Sequence, residues 1–298
     1  MASNDENLVN LNEVLRRGPK KNQRVGILAG GGGMAGIYSA GFLAGMAERG
    51  ITEDRFDFAA GVSVGGIDLA LYIGNRIEVA IHLYRALCNT RFMNLFRLNK
   101  MVDIFYAMQE LRKRLDLATL LKKRVSFYVC VTDCVGTGTL LDVTAVKDVE
   151  EIAMRIMASA SVPLRINPVV EVAGRGYLDG EISMPLPVRE VVKQFSPTHL
   201  LIILNRPLYW RQNWVQTAAM AKFLQPFTGA LNALRRQSEV YQEGLEFLRS
   251  PVASGIEISV VCPRKGEVVS EMCHNRFELQ SVFDNAKQRA LEIFGGRV

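Results

Sequence analysis

The 298-residue chain is poor in the residues that build metal and redox sites. Its three histidines, His82, His199 and His274, lie far apart in sequence, and its five cysteines (Cys88, Cys130, Cys134, Cys262, Cys273) form no Cys-x-x-Cys pair. That scarcity argues against a zinc centre. The odd, scattered cysteine set argues against a disulfide framework, so a reducing, cytoplasmic setting is expected. No run of about 18 apolar residues occurs, and no membrane-spanning helix is expected. Residues 1–12 are polar and acidic, without the apolar core of a Sec-type signal peptide. Delivery as a secreted effector by another route stays open. Repeats and low-complexity segments are also missing. The net charge of +6 is a mild basic excess that fits an anionic partner surface, lipid or nucleic acid, without choosing between them.

What is present is a repeated pattern of short apolar run, glycine turn and helix. Val25–Ala29 meets the glycines 30–33, and a helix rich in small residues follows over 37–48. The run 56–60 again meets glycines and then an apolar helix over 67–73. Such a repeat marks an α/β fold with a mostly parallel sheet. Further strands are expected at 125–131, 169–172, 200–204 and 256–261. Helices are expected over 102–122, 149–159, 187–194, 214–248 (broken near Pro226) and 277–294. Residues 1–23 read as a polar leader outside the core. Residues 24–298 read as one domain, with a helical lid or appendage over about 206–254.

Gly31-Gly32-Gly33-Met34-Ala35-Gly36 satisfies G-x-G-x-x-G. Glycines allow positive φ and a close backbone approach, and the following helix N-terminus offers free N–H groups. Those donors serve a pyrophosphate or a developing oxyanion equally well, and a plain tight turn is the bland alternative. A dinucleotide site also wants an acid at the end of the second strand. Here that strand runs into Ala59-Ala60-Gly61-Val62-Ser63, with no acid.

Gly61-Val62-Ser63-Val64-Gly65 is G-x-S-x-G. Between a strand and a helix this string forms a sharp turn that exposes the serine hydroxyl, and only small flanking residues fit. Ser63 is therefore the candidate nucleophile, with Gly61 and Gly65 forming its elbow. A serine needs a base. His274 lies late in the chain, as in a Ser–His–Asp esterase, but its stretch is undistinguished; His82 and His199 read as structural. Asp179, in Gly176-Tyr177-Leu178-Asp179-Gly180, ends a short strand, although Asp-Gly alone is more often just a turn.

Taken in order, the glycine loop, G-x-S-x-G thirty residues on and a distant Asp-Gly resemble the patatin-like phospholipase family. Ala158-Ser159-Ala160-Ser161-Val162-Pro163, with Pro168 beyond, resembles that family's A-S-x-x-x-P stretch. The motifs span residues 25 to about 205, and the likeness is to short bacterial single-domain members. It implies a three-layer α/β/α sandwich and a Ser63–Asp179 dyad. The backbone of Gly31, Gly32, Gly33, Met34, Ala35 and Gly36 would form an oxyanion hole, with no metal or cofactor. The implied activity is hydrolysis of acyl-lipid or phospholipid esters, with no nucleic-acid partner.

Two departures stand out. Ala35 occupies a place where the family carries Arg or Lys, and Glu181 follows Asp179-Gly180 where Gly or Ala is usual. These raise a rival reading, a catalytically weak or inactive lipid-binding protein of the same fold. A Ser–His–Asp esterase using His274 and a dinucleotide-binding oxidoreductase are the others.

The chain also lacks any acid between Glu190 and Glu239, an interval holding Lys193, Arg206, Arg211, Lys222, Arg235, Arg236 and both tryptophans. Tryptophan beside arginine suits the headgroup boundary of a membrane. Residues 206–236 are therefore read as a lid or docking face for anionic membranes, against the bland reading that Trp210 and Trp214 pack inside a buried helix.

Overall fold

Alternation of side chains along five parallel strands sets the architecture. The computed structural model describes residues 4–94, 96–97, 99–211, 213–250 and 255–295. Its strands are β1 (Val25–Ala29), β2 (Phe58–Val62), β3 (Ser126–Asp133), β4 (Gly138–Asp142), β5 (Val170–Val172), β6 (Arg175–Asp179), β7 (His199–Ile203) and β8 (Glu257–Val261). They form one sheet in the order β5-β6-β3-β2-β1-β7-β8, with β4 also pairing β3. From β3 through β8 the neighbours run parallel, while β4, β5 and β6 add an antiparallel edge. Every residue of β1, β2 and β7 is buried, as expected for strands covered on both faces.

Successive residues feed two separate cores. Ile27, Ala29, Leu201 and Ile203 join the larger one, whereas Leu28, Phe58, Leu200 and Ile202 join the smaller. The larger core lies under α2 (Ile37–Glu48), α3 (Val64–Ile73), α4 (Ala80–Leu87), α5 (Ile104–Arg112), α6 (Val149–Ser159) and α10 (Arg276–Ile293). The smaller lies under α7 (Val188–Phe195) and the C-terminal half of α9 (Thr228–Phe247), through Val188, Val191, Phe195, Tyr241 and Leu245. The result is the three-layer α/β/α arrangement. Between α7 and α9, α8 (Trp214–Phe223) follows β7 and packs on α9.

The polar-leader reading of residues 1–23 is corrected by the structure. Residues Asn4–Arg17 form α1, and Leu8, Leu11 and Leu15 are buried in the larger core. Their spacing of three and four puts them on one helical face, although the segment's mean composition is polar. Gly18, at φ 84°, and Pro19 end the helix. The second strand runs 58–62 rather than 56–60, and the helix expected over 102–122 stops at Arg112 before a 3-10 turn at Leu117–Lys122.

Leu11→Ala and Leu15→Ala should each destabilise the protein by roughly 2–5 kcal/mol in urea titrations, the usual cost of emptying a buried leucine site. Glu13→Ala on the outer face should stay within about 0.5 kcal/mol. Unchanged midpoints for both leucine variants would mean that the helix does not contribute to the core.

Candidate active site

Strand register brings the serine and the aspartate together. Val62 pairs with Cys130, so Ser63 follows at the level of Val131, and Val131 pairs with Asp179 across the antiparallel edge. Ser63 Oγ donates to Asp179 Oδ2 at 2.7 Å. Asp179 Oδ1 accepts the Glu181 N–H at 2.9 Å, which caps the 3-10 turn Gly180–Ile182.

Ser63 sits at φ 52°, ψ −124°, a backbone state that costs a non-glycine residue of order 1–3 kcal/mol and survives only where the surroundings enforce it. The glycines at positions 61 and 65 enforce it by close approach. A Cβ on Gly61 would overlap the backbone of Gly66, and one on Gly65 would overlap the carbonyls of Ala29 and Gly30. The elbow thus packs its helix directly onto the end of β1.

The segment 158–168 holds both residues of this pair. Ser159 Oγ accepts the Ser63 N–H at 3.1 Å, and the Ser161 carbonyl accepts the Asp179 N–H at 3.1 Å. Ser161 Oγ in turn donates to the Pro168 carbonyl at 2.5 Å. Asn205, which sequence reasoning missed, ties down the glycine loop: its amide donates to the Gly30 carbonyl at 2.7 Å and accepts the Ser39 N–H at 2.9 Å. A buried Asn just past a strand has no sequence signature of that role.

Fewer amides of the glycine loop are unpaired than the oxyanion-hole expectation required. The Met34 N–H is given to the Glu271 carbonyl, and the Ala35 N–H to that of Gly32. Among the described residues, the amides of Gly31 and Gly32 have no protein acceptor, leaving those glycines, with Gly33 beside them, as the open part of the loop. Gly32 adopts φ 135°, accessible only to glycine.

Electrostatics at the pair are set by burial. Burial, and then the neighbouring Glu181 charge, push the Asp179 carboxyl up to about 8. Glu181 is likewise raised, chiefly by burial. Burial opposes the charge on Arg206, but Glu181 and Glu271 beside it hold the guanidinium protonated. The histidines stand elsewhere. His82 and His274 are exposed, and His199 is hydrogen-bonded to Thr198 Oγ1 on β7. Among the described residues no histidine reaches Ser63 or Asp179, so the structure does not assemble the triad with His274.

Ser63 and Asp179 line one wall of a cavity whose other walls are mostly apolar, including Ile67, Leu87, Phe92, Val102, Ile104 and Met220. Trp210, Asn213, Gln216, Thr217, Leu234 and Gln237, between residues 206 and 237, also line it.

The patatin-like phospholipase family model matches residues 28–192, more than half of the chain and a span that contains both Ser63 and Asp179. The chain belongs to the patatin-like phospholipase family. Membership carries the coarse functional statement, a hydrolase of lipids. An uncharacterized protein, YjjU of Escherichia coli (strain K12), is 25% identical over 250 residues, covering 78% of this chain and 67% of that protein. The crystal structure of VipD from Legionella pneumophila superposes with a TM-score of 0.54 over 92% of this chain and 67% of that one, at 12% identity. At that identity the likeness concerns the fold alone, a patatin sandwich around a mostly parallel sheet.

The raised Asp179 carboxyl has a measurable consequence for stability. A carboxyl raised above its unfolded value of 3.8 favours the folded state at low pH and loses that contribution as pH climbs through its folded value near 8. Asp179→Asn can still accept the Glu181 N–H through its one oxygen, turns its NH2 towards Ser63 Oγ as a donor, and cannot ionise. Its urea midpoint should exceed that of the unsubstituted protein at pH 9, and the excess should shrink steadily as pH falls towards 4. Equal midpoints at pH 9 would contradict a buried, reluctantly charged Asp179.

Proposed function

We propose that the protein hydrolyses carboxylic esters of acyl lipids through a Ser63–Asp179 dyad and an acyl-enzyme intermediate. The observation that carries this reading is the 2.7 Å hydrogen bond from Ser63 Oγ to a buried carboxylate at the wall of an apolar cavity. The cavity accepts an acyl chain, and the serine lies where the ester carbonyl would enter. Ser63 Oγ attacks the carbonyl carbon as its proton passes to Asp179. The carbonyl π electrons move onto oxygen, which the Gly31 and Gly32 amides stabilise at the helix end. Collapse of the tetrahedral adduct expels the alcohol, which leaves with the proton from Asp179. Water then gives a proton to Asp179 as it attacks the acyl carbon, and collapse of this second adduct returns that proton to Ser63 Oγ and releases the fatty acid. The same carboxylate serves both half-reactions.

Ser63→Ala should abolish fatty-acid release from a total lipid extract with the circular dichroism spectrum unchanged. Asp179→Asn should lower kcat/KM by about 10²–10⁴, the usual worth of a general base, while His82, His199 and His274 replaced singly should stay within about tenfold. Loss of activity in His274→Ala at unchanged stability would instead favour the triad. Lipid binding without turnover in the unsubstituted protein would favour the inactive lipid-binding reading.

The expected membrane face takes a different form in the structure. Trp210 is partly buried, edge-on to Tyr241 at 5.2 Å, but it lies in the connection before α8 and not in the buried helix of the bland reading. Arg206 is buried and paired, so it is no surface cation. Trp214 is 80% exposed, and Tyr209 and Val215 are exposed beside it, together with Arg211. These flank cavity-lining Trp210 and Asn213, and we propose this rim as the contact with an anionic bilayer. Each basic residue near such a surface contributes roughly 1 kcal/mol, which salt screens. The protein should co-sediment with anionic vesicles at low salt and much less at high salt. Its tryptophan emission should shift to the blue in the unsubstituted protein but not in Trp214→Phe. Equal binding to neutral vesicles, or no shift, counts against this face.

A further inference from the structure

The loop 30–36 carries no charged side chain. A charge nevertheless lies beside it. Arg206, three residues past the end of β7, is only 6% exposed, and its Nε lies 3.9 Å from the position a Cβ on Gly32 would take. Its guanidinium is fixed on three sides. Nη2 reaches Glu181 Oε2 at 2.7 Å, Nε donates to Glu271 Oε1 at 2.9 Å, and the Trp210 ring lies 4.2 Å beneath it.

The carboxylate it holds is badly placed for the proposed chemistry. Glu181 Oε1 is buried without a hydrogen-bond partner and lies against Gly31, where a Cβ on that glycine would overlap it. An anion there repels the oxyanion that would form at the Gly31 and Gly32 amides. The same anion opposes ionisation of Asp179, two residues away. Two carboxyls confined together in a dry site do not both ionise unless a cation compensates. The titratable and charged groups that face this pair are Arg206 from the end of β7, Glu271 from the 262–275 connection, Tyr241 from α9 and Cys130 from β3. Among these, Arg206 supplies the compensating positive charge. Gln216 of α8, which donates to Glu271 Oε2 at 2.9 Å, and Gln237 of α9, which donates to the Glu181 carbonyl at 2.8 Å, hold the cluster to the covering helices.

We propose that Arg206 is the positioning cation of this active site: clamped between Glu181 and Glu271, it neutralises the carboxylate lying against the oxyanion loop and so keeps Asp179 able to take the Ser63 proton. The proposal rests on the Ser63–Asp179 reading. It assigns Arg206 an action through Glu181 and Asp179, without contact to the reacting atoms.

The test is the pH dependence of kcat/KM on a short-chain p-nitrophenyl ester for Arg206→Gln, Glu181→Gln, the double variant and Arg206→Lys, with Ser63→Ala alongside. Activity should require anionic Asp179 and fall on the acidic side of its titration. Removing Arg206 should move that limb to higher pH by about one unit or more, so that kcat/KM at pH 7 drops at least about tenfold and recovers as pH rises. Glu181→Gln should move it the opposite way. The double variant should return towards the starting profile, and Arg206→Lys should fall between. A purely structural arginine would lower activity at every pH with the limb unmoved, and that result overturns the proposal. If Arg206→Gln does not fold, Glu181→Gln decides alone: a limb shifted to lower pH supports the assignment, and an unmoved limb refutes it. Activity surviving in Ser63→Ala would instead refute the nucleophile assignment, so the two failures are told apart.

Discussion

A carboxylate held out of water against a serine hydroxyl is the interaction on which the rest of this structure depends. Burial makes the Asp179 carboxyl reluctant to lose its proton, and therefore a stronger base once ionised. The same burial is expensive, and the surrounding architecture is organised to sustain it. Strand register places the two side chains at one level, the 158–168 segment bonds both backbones, and the Asp179 side chain caps its own turn. The positive φ of Ser63 belongs to the same account, since the elbow aims the hydroxyl only while glycines let α3 rest on β1.

The parts of this arrangement differ in how far they can be read from sequence. β1, α2 and α6 fall where apolar runs, glycines and periodicity put them, because both faces of a parallel sheet demand continuous apolar strands. The contact between Ser63 and Asp179 is legible by two routes: Ser63 from G-x-S-x-G between a strand and a helix, Asp179 only from the family resemblance, since Asp-Gly alone reads as a turn. What escaped depends on distant partners. The three leucines of α1 are diluted among polar residues, and their burial follows from where β8 and α10 lie. Asn205 is unremarkable until its amide is seen across 175 residues from Gly30. Arg206 read as one more base in an acid-free stretch, although its acids come from residues 181 and 271.

The covering helices link chemistry to surface. Trp210 and Gln216 touch the Arg206–Glu271 cluster on one side, while Tyr209, Trp214 and Val215 are exposed on the other. Gln216 of α8 connects to Glu181, beside Asp179, through Glu271 and Arg206. The proposed membrane rim and the charges around Asp179 thus meet at the start of α8.

The central claim, a serine activated by Asp179 alone, is tested most directly by covalent capture. A fluorophosphonate reacts with an activated serine and leaves a stable phosphonyl ester that peptide mass spectrometry locates. The account predicts a single adduct, on the peptide carrying Ser63, formed at a rate that rises with pH through the Asp179 titration and is nearly abolished in Asp179→Asn. An adduct on another residue, or undiminished labelling of Ser63 in Asp179→Asn, would contradict it.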